Sequence, residues 1–268
     1  PGSININGQS YVLSGTVYAD VICPTIGSDY GDAPSSYGDI CYIVSNSGAG
    51  LTQTKLGNTV DAESGSQSSS DAEGDDNTGS DDEDGVVFVG GNTLTAGTTK
   101  QITISWSSND QEGHIFGWID WNGDGDFDAN EVVVNNFIVG SNNGRQTGTH
   151  TFNVNVPSNT ACGTSFARFT INSDVGEAGP TGNFCATTSQ FEDGEVEDYL
   201  VNLDNAPTVS VNGTDPACDE TNGSATAVAS GSSGGYSYVW NTGAQTATIS
   251  GLANGTYTVT VTDANHCT

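Results

Sequence analysis

Asp120-Trp121-Asn122-Gly123-Asp124-Gly125-Asp126-Phe127-Asp128-Ala129-Asn130-Glu131 carries oxygen-bearing side chains at loop positions 1, 3, 5, 7, 9 and 12, with glycine at position 6. That is the ligand order of a calcium loop of the EF-hand type. Calcium is a hard cation that gathers about six to eight oxygens at about 2.3–2.6 Å. Asp120, Asn122 and Asp124 are expected to supply side-chain oxygens, Asp126 its carbonyl, Asp128 a direct or water-borne contact, and Glu131 both carboxylate oxygens. Gly125 permits the sharp turn that folds these groups inward. Without a cation, Asp120, Asp124, Asp126, Asp128 and Glu131 would repel one another in a small volume. A solvated hairpin turn explains Asn122-Gly123 and Asp124-Gly125, but not a full set of ligand positions closed by Glu. The flanks decide the fold. His114–Ile119 before the loop, and Val132–Val134 and Phe137–Val139 after it, are aromatic and β-branched, so they read as strands. The loop therefore sits between strands in a structural role, with no helix pair for calcium to open.

Working outward, the whole chain reads as all-β. It has 268 residues, enough for two domains, with 36 glycines and a hydrophobic content of 34%. The formal net charge is −29, and the basic residues are Lys55, Lys100, Arg145 and Arg168. Such a balance argues against nucleic-acid partners and anionic membranes and favours bound cations. No apolar run approaches the length of a membrane-spanning helix, so no membrane insertion is expected. No signal peptide is visible and the chain begins at Pro1, which reads as a processed or partial chain. None of the six cysteines lies in a C-x-x-C pair, which weakens zinc and thioredoxin-like readings. Nearest-neighbour pairing, Cys23–Cys41, Cys162–Cys185 and Cys218–Cys267, keeps each bridge inside one region and is the expected connectivity. Even cysteine count, acidity and a calcium loop together point to an extracellular, oxidising setting, secreted or at a cell surface.

Residues 3–21 alternate weakly and contain no proline, as one or two extended strands would. Residues 61–85 are acidic and composed like a loop or disordered stretch. Their carboxylates nevertheless come in packets that lead straight into Val86-Val87-Phe88-Val89. A second, weaker calcium site is expected among Asp75, Asp76, Asp81, Asp82, Glu83 and Asp84, with Glu195, Glu197 or Asp198 of the closing strand. Strand signals follow at 101–106, 149–156 and 165–171. Arg168 is expected to pair with a carboxylate. After Asn205-Ala206-Pro207, short strands separated by Gly-rich turns have the spacing of a small sandwich. Helical periodicity is absent throughout.

Two family resemblances emerge from these pieces. DYGDAPSSYG (29–38), DDEDGVVF (81–88), GWIDWNGDGDF (117–127), ARF (167–169) and GEVEDYLV (194–201) stand in the order of the GEVED domain, which the region 29–204 resembles. GSATAVASG (223–231) and GGYSYVWNTGAQTATISGLANGTYTVTVTDANHCT (234–268) resemble the SprB-type repeat. The expected organisation is an N-terminal extended segment (1–28), a jelly-roll-like calcium-binding β-sandwich (29–204) and a small Ig-like β-sandwich (205–268). The resemblances imply modules of large secreted or surface proteins of the Bacteroidota type. SprB-type repeats imply adhesins; GEVED modules stand beside adhesive modules and secreted peptidases.

An enzyme is not expected. Asp120 and Glu131 are better used as ligands than as a glycosidase pair. His114, His150 and His266 lack zinc spacing, and no G-x-S-x-G occurs. Two readings remain. One is a calcium-stabilised structural or adhesive module whose partners are calcium, other copies of itself or neighbouring modules. The other is a carbohydrate-binding accessory module of a secreted hydrolase or peptidase, with glycans as partners and Trp121 and Trp240 as candidate aromatic platforms. The SprB-type repeat usually continues past its cysteine with a further strand, whereas here the sequence stops at Thr268. Strand exchange, with residues 3–21 as donor, would join copies into a filament. Alternatively, a longer protein supplies its own strand.

Overall fold

Gln101 is exposed while Ile102 and Ile104 are buried, the period-two pattern of a strand with one face on a core. The computed structural model describes residues 3–6, 9–12, 27–38, 40–44, 54–60, 67–72, 83–108, 112–141, 144–173, 182–183, 194–218, 220–232, 234–264 and 266–268. Apart from a short 3₁₀ turn at Ser35–Tyr37, the regular elements in them are strands. In chain order these are β1 (Ser3–Ile6), β2 (Gln9–Val12), β3 (Gly27–Tyr30), β4 (Ile40–Val44), β5 (Lys55–Leu56), β6 (Val86–Phe88), β7 (Thr93–Thr95), β8 (Thr99–Ser108), β9 (Glu112–Ile119) and β10 (Val132–Gly140). Then come β11 (Gln146–Asn155), β12 (Gly163–Asn172), β13 (Gly182–Asn183), β14 (Gly194–Asp204), β15 (Thr208–Thr214), β16 (Gly223–Ser230), β17 (Ser237–Trp240), β18 (Thr248–Leu252) and β19 (Val259–Thr262).

A five-stranded sheet in the order β10-β9-β12-β14-β7 faces a second sheet in the order β11-β8-β5, with β6 also pairing β8. Ile115, Ile119, Phe169, Ile171, Val201 and Leu203 from the first meet Leu56, Phe88, Ile102, Ile104 and Val154 from the second in one core. This is a β-sandwich, as expected. β9 is central and buried on both faces: Ile115 and Ile119 point into the main core, while Phe116 and Trp118 belong to a second cluster with Ala33, Tyr37, Phe127 and Phe166. The outer face of the five-stranded sheet is thus covered by the segment around residues 29–38, and the sheet is enclosed on both sides there. Gly117 stands opposite Phe169 in register, and a Cβ on it would lie 2.6 Å from the Phe169 ring. Gly117→Ala is therefore expected to cost about 1–3 kcal/mol by overpacking, read as a lowered denaturant midpoint with unchanged slope. A midpoint like that of the wild type would show that the ring has room to move.

The tail is a second sandwich, with β15-β16-β18 facing β17-β19. Its core holds Ala225, Ala227, Trp240 and Ile249. Trp240 is only 2% exposed and donates its indole N–H to the Thr246 carbonyl at 2.8 Å, so it is a core residue and not a ligand platform.

The disulfides depart from nearest-neighbour pairing. Cys162 is bonded to Cys267, 105 positions away, which replaces both Cys162–Cys185 and Cys218–Cys267. Cys218 is free and exposed. Pairing follows approach in space, here a Cα–Cα distance of 5.7 Å, and not proximity in sequence. Asp263 accepts the Cys267 N–H at 2.8 Å and holds the cysteine in place. Cys41 is disulfide-bonded; Cys23, its expected partner, lies outside the described residues.

Candidate metal centre

Residues 120–131 connect β9 to β10. Ile119 donates its N–H to the Glu131 carbonyl at 3.0 Å, closing the hairpin just beneath the loop. Asp120 donates its N–H to Phe166 of β12, and Trp121 accepts the Ala161 N–H. Gly123 (φ 70°) and Gly125 (φ 90°) occupy the left-handed region that the winding of the loop requires. A Cβ at Gly125 would also come within 3.3 Å of the Ser36 hydroxyl.

The six expected ligands divide into a frame and a mouth. Asp120 and Glu131 are fully buried. The two carboxylate oxygens of Asp120 accept the Gly123 N–H at 2.6 Å and the Gly125 N–H at 3.1 Å, and the Tyr37 hydroxyl donates to it at 2.6 Å. Glu131 accepts the Trp121 N–H at 3.1 Å on one oxygen and the Asp128 N–H at 2.7 Å on the other. Each oxygen has a second lone pair, so a backbone contact does not exhaust it. Asn122 accepts the Asp124 N–H and donates its amide to the Asp124 carboxylate at 2.8 Å. At the mouth, Asp124, Asp126 and Asp128 are exposed and bring one carboxylate oxygen each within 4.8 Å of the others.

The electrostatics follow from this packing. Asp124 is the main cause of the raised pKa of Asp126, with burial, Asp128 and Asp120 adding to it. Glu131 is raised chiefly by burial, while backbone N–H groups oppose the rise. Tyr37 is also raised, by burial first and then by its hydrogen bond to Asp120, so its hydroxyl stays a donor. A divalent cation in the mouth would reverse the carboxylate terms, since an opposite charge favours the ionised form.

Tyr37 was not an expected participant, and it links the loop to the rest of the molecule. Its ring lies 4.8 Å from Phe127 and 5.1 Å from Phe166, centroid to centroid. Arg168 lies 5.4 Å over the Phe127 ring and makes a two-pronged contact with Asp198, at 2.7 Å from both Nε and Nη2. It also donates to the Gly38 carbonyl at 3.0 Å. The expected pairing of Arg168 with a carboxylate is therefore present, and both partners are buried.

The closing strand behaves differently from a ligand strand. Glu195 accepts the Leu56 N–H. Glu197 accepts the Gly85 N–H at 2.8 Å and the Tyr199 hydroxyl at 2.9 Å. Asp198 accepts the Ala33 N–H at 2.9 Å, and Val196 donates its own N–H to Asp29 at 2.6 Å. The acidic residues of β14 thus hold three separate backbone segments, around residues 33, 56 and 85. Asp84 accepts from the Asn58 N–H at 2.7 Å and from the Thr59 hydroxyl at 3.2 Å. Asp75, Asp76, Asp81 and Asp82 lie outside the described residues. Among the described residues, the carboxylate oxygens that gather closely enough for a metal are those of Asp124, Asp126 and Asp128. Trp121 is 7% exposed and packed in the main core, which removes it as a surface platform.

Together these features define a class: an all-β sandwich module whose loops are fastened by buried carboxylates around an acidic inter-strand loop. Residues 114–202 match the GEVED domain family. That span runs from β9 through β14 and contains the loop, Arg168 and the closing strand. Among curated proteins no match to the chain was found.

Proposed function

We propose that this chain is a non-catalytic, calcium-braced module of a secreted or cell-surface protein, serving as a structural or adhesive unit. GEVED domains are non-catalytic modules found in extracellular and surface proteins, and among the described residues no helix is long and apolar enough to cross a membrane. The observation that carries the calcium reading is the convergence of Asp124, Asp126 and Asp128 above a loop already wound by Asp120 and Glu131. Calcium would take the mouth carboxylates, with Asn122, Asp120 and Glu131 closing on it from beneath. The carbohydrate-binding alternative needs an exposed aromatic platform, and Trp121 and Trp240 are both buried.

Extracellular calcium modules bind at about 10⁻⁴–10⁻³ M. At 1 mM calcium and the tighter limit, linkage gives about 1.4 kcal/mol of stabilisation. That corresponds to a rise in Tm of roughly 3–6 °C for a domain of this size. Thermal melts in calcium and in chelator test this, alongside Asp126→Asn/Asp128→Asn, whose positions are exposed. The wild type should lose stability in chelator, and the variant should respond little. Identical wild-type melts in both buffers would overturn the calcium reading.

A further inference from the structure

Strand β15 carries its apolar residues on the wrong side for a finished sandwich. Residues directly opposite in an antiparallel pair point to the same face. Val211 is opposite Ala227 and Val209 is opposite Ala229 in the β15–β16 register. Ala227 is 2% exposed and belongs to the tail core, so that face is the inner one. Yet Val209 is 41% exposed and Val211 is 50% exposed, and no β15 residue joins the core cluster. The cause is the strand count: three strands, β15-β16-β18, face two, β17-β19, among the described residues. The two-stranded sheet covers the alanines of β16 and leaves the inner side of β15 open.

We propose that this open lane receives a strand from the N-terminal hairpin of a second copy of the chain, which extends the two-stranded sheet over Val209 and Val211. Hairpin β1–β2 pairs only with itself in the sheets described, and an isolated two-stranded hairpin is marginal in water. Its sequence alternates, with Ile4 and Ile6 at every second position of β1 and Tyr11 opposite Ile4 in register. Charge selects the same pair of segments. In a chain of net charge −29, residues 1–19 contain no Asp, Glu, Lys or Arg, and neither does β15. Two copies repel over most of their surfaces, whereas these two segments meet without burying a charge. The strand adds by main-chain hydrogen bonds, and alternate side chains fill the lane. The contact is head-to-tail, so it propagates into a filament unless the rotation closes a ring.

The test uses light scattering across a concentration series, in calcium and in chelator, with the full chain and two variants. Ile4→Asp/Ile6→Asp removes the donor, and Val209→Asp/Val211→Asp removes the acceptor at exposed positions. The wild type should grow beyond the 27.4 kDa monomer with concentration, and each variant alone should stay monomeric. A mixture of the two variants should form pairs and stop there, because each retains one competent end. Circular dichroism and Tm check that both variants remain folded. A wild type that stays monomeric, including one whose hairpin is protected within its own chain, overturns the proposal. So does an acceptor variant that still assembles. The calcium reading is judged by melting and this one by mass, so either can fail alone.

Discussion

Replacing Arg168 by methionine is expected to remove about 3–5 kcal/mol of stability, the usual cost of leaving one partner of a buried ion pair uncompensated. Total stabilities are about 5–15 kcal/mol, so the variant should sit near the edge of folding. Arg168 binds Asp198 with two nitrogens and a loop carbonyl with a third, and its plane lies over Phe127. Lysine offers neither the fork nor the flat face, so Arg168→Lys should recover little. Arg168→Met/Asp198→Leu should be more stable than Arg168→Met, since no carboxylate is then stranded. Denaturant unfolding measures all three. A loss below about 1 kcal/mol for Arg168→Met would mean that the pair is as weak as a surface one.

Cys162→Ser/Cys267→Ser is expected to cost about 5 kcal/mol, since the bridge closes a loop of 105 positions and the chain-entropy term grows with loop length. The bridge joins the turn before β12 to the residues after β19, so its loss should show as separate unfolding of the tail. Unfolding followed by tail tryptophan Trp240 and by Trp118 of the sandwich should coincide in the wild type and split in the variant. Cys218→Ser serves as the control and should change neither. Coincident transitions in the variant would show that non-covalent contacts alone couple the two units.

The all-β class was legible because alternation is a local signal. Ile102 and Ile104 announce a strand wherever they sit, and the 120–131 loop announces its own flanking strands. The frame of the candidate site was legible only in part. The spacing of Asp120 and Glu131 marks them as loop residues, but it cannot show that backbone N–H groups reach them first. Tyr37 lies 83 positions from Asp120, and no periodicity links the two. The same holds for Glu195, Glu197 and Asp198. As sequence they are an acidic run, which suggests cations. In the fold each faces a different backbone segment, because neighbouring residues of a strand point to opposite sides. The cysteine pairing failed for a related reason: nearest-neighbour pairing assumes that chain distance tracks spatial distance, and the return of the tail to the 160–162 turn breaks that assumption.

The Cys162–Cys267 bridge also sets a route for tension. A pull that enters before Cys162 and leaves beyond Cys267 crosses the chain through the sulfur–sulfur bond. Strands β12 and β14 and the whole tail sandwich lie inside the closed loop and bear none of that load. The 105 positions so enclosed represent on the order of 350 Å of extended chain, at about 3.3–3.6 Å per residue. Under oxidising conditions that length is withheld from extension, and a reductant would release it as slack.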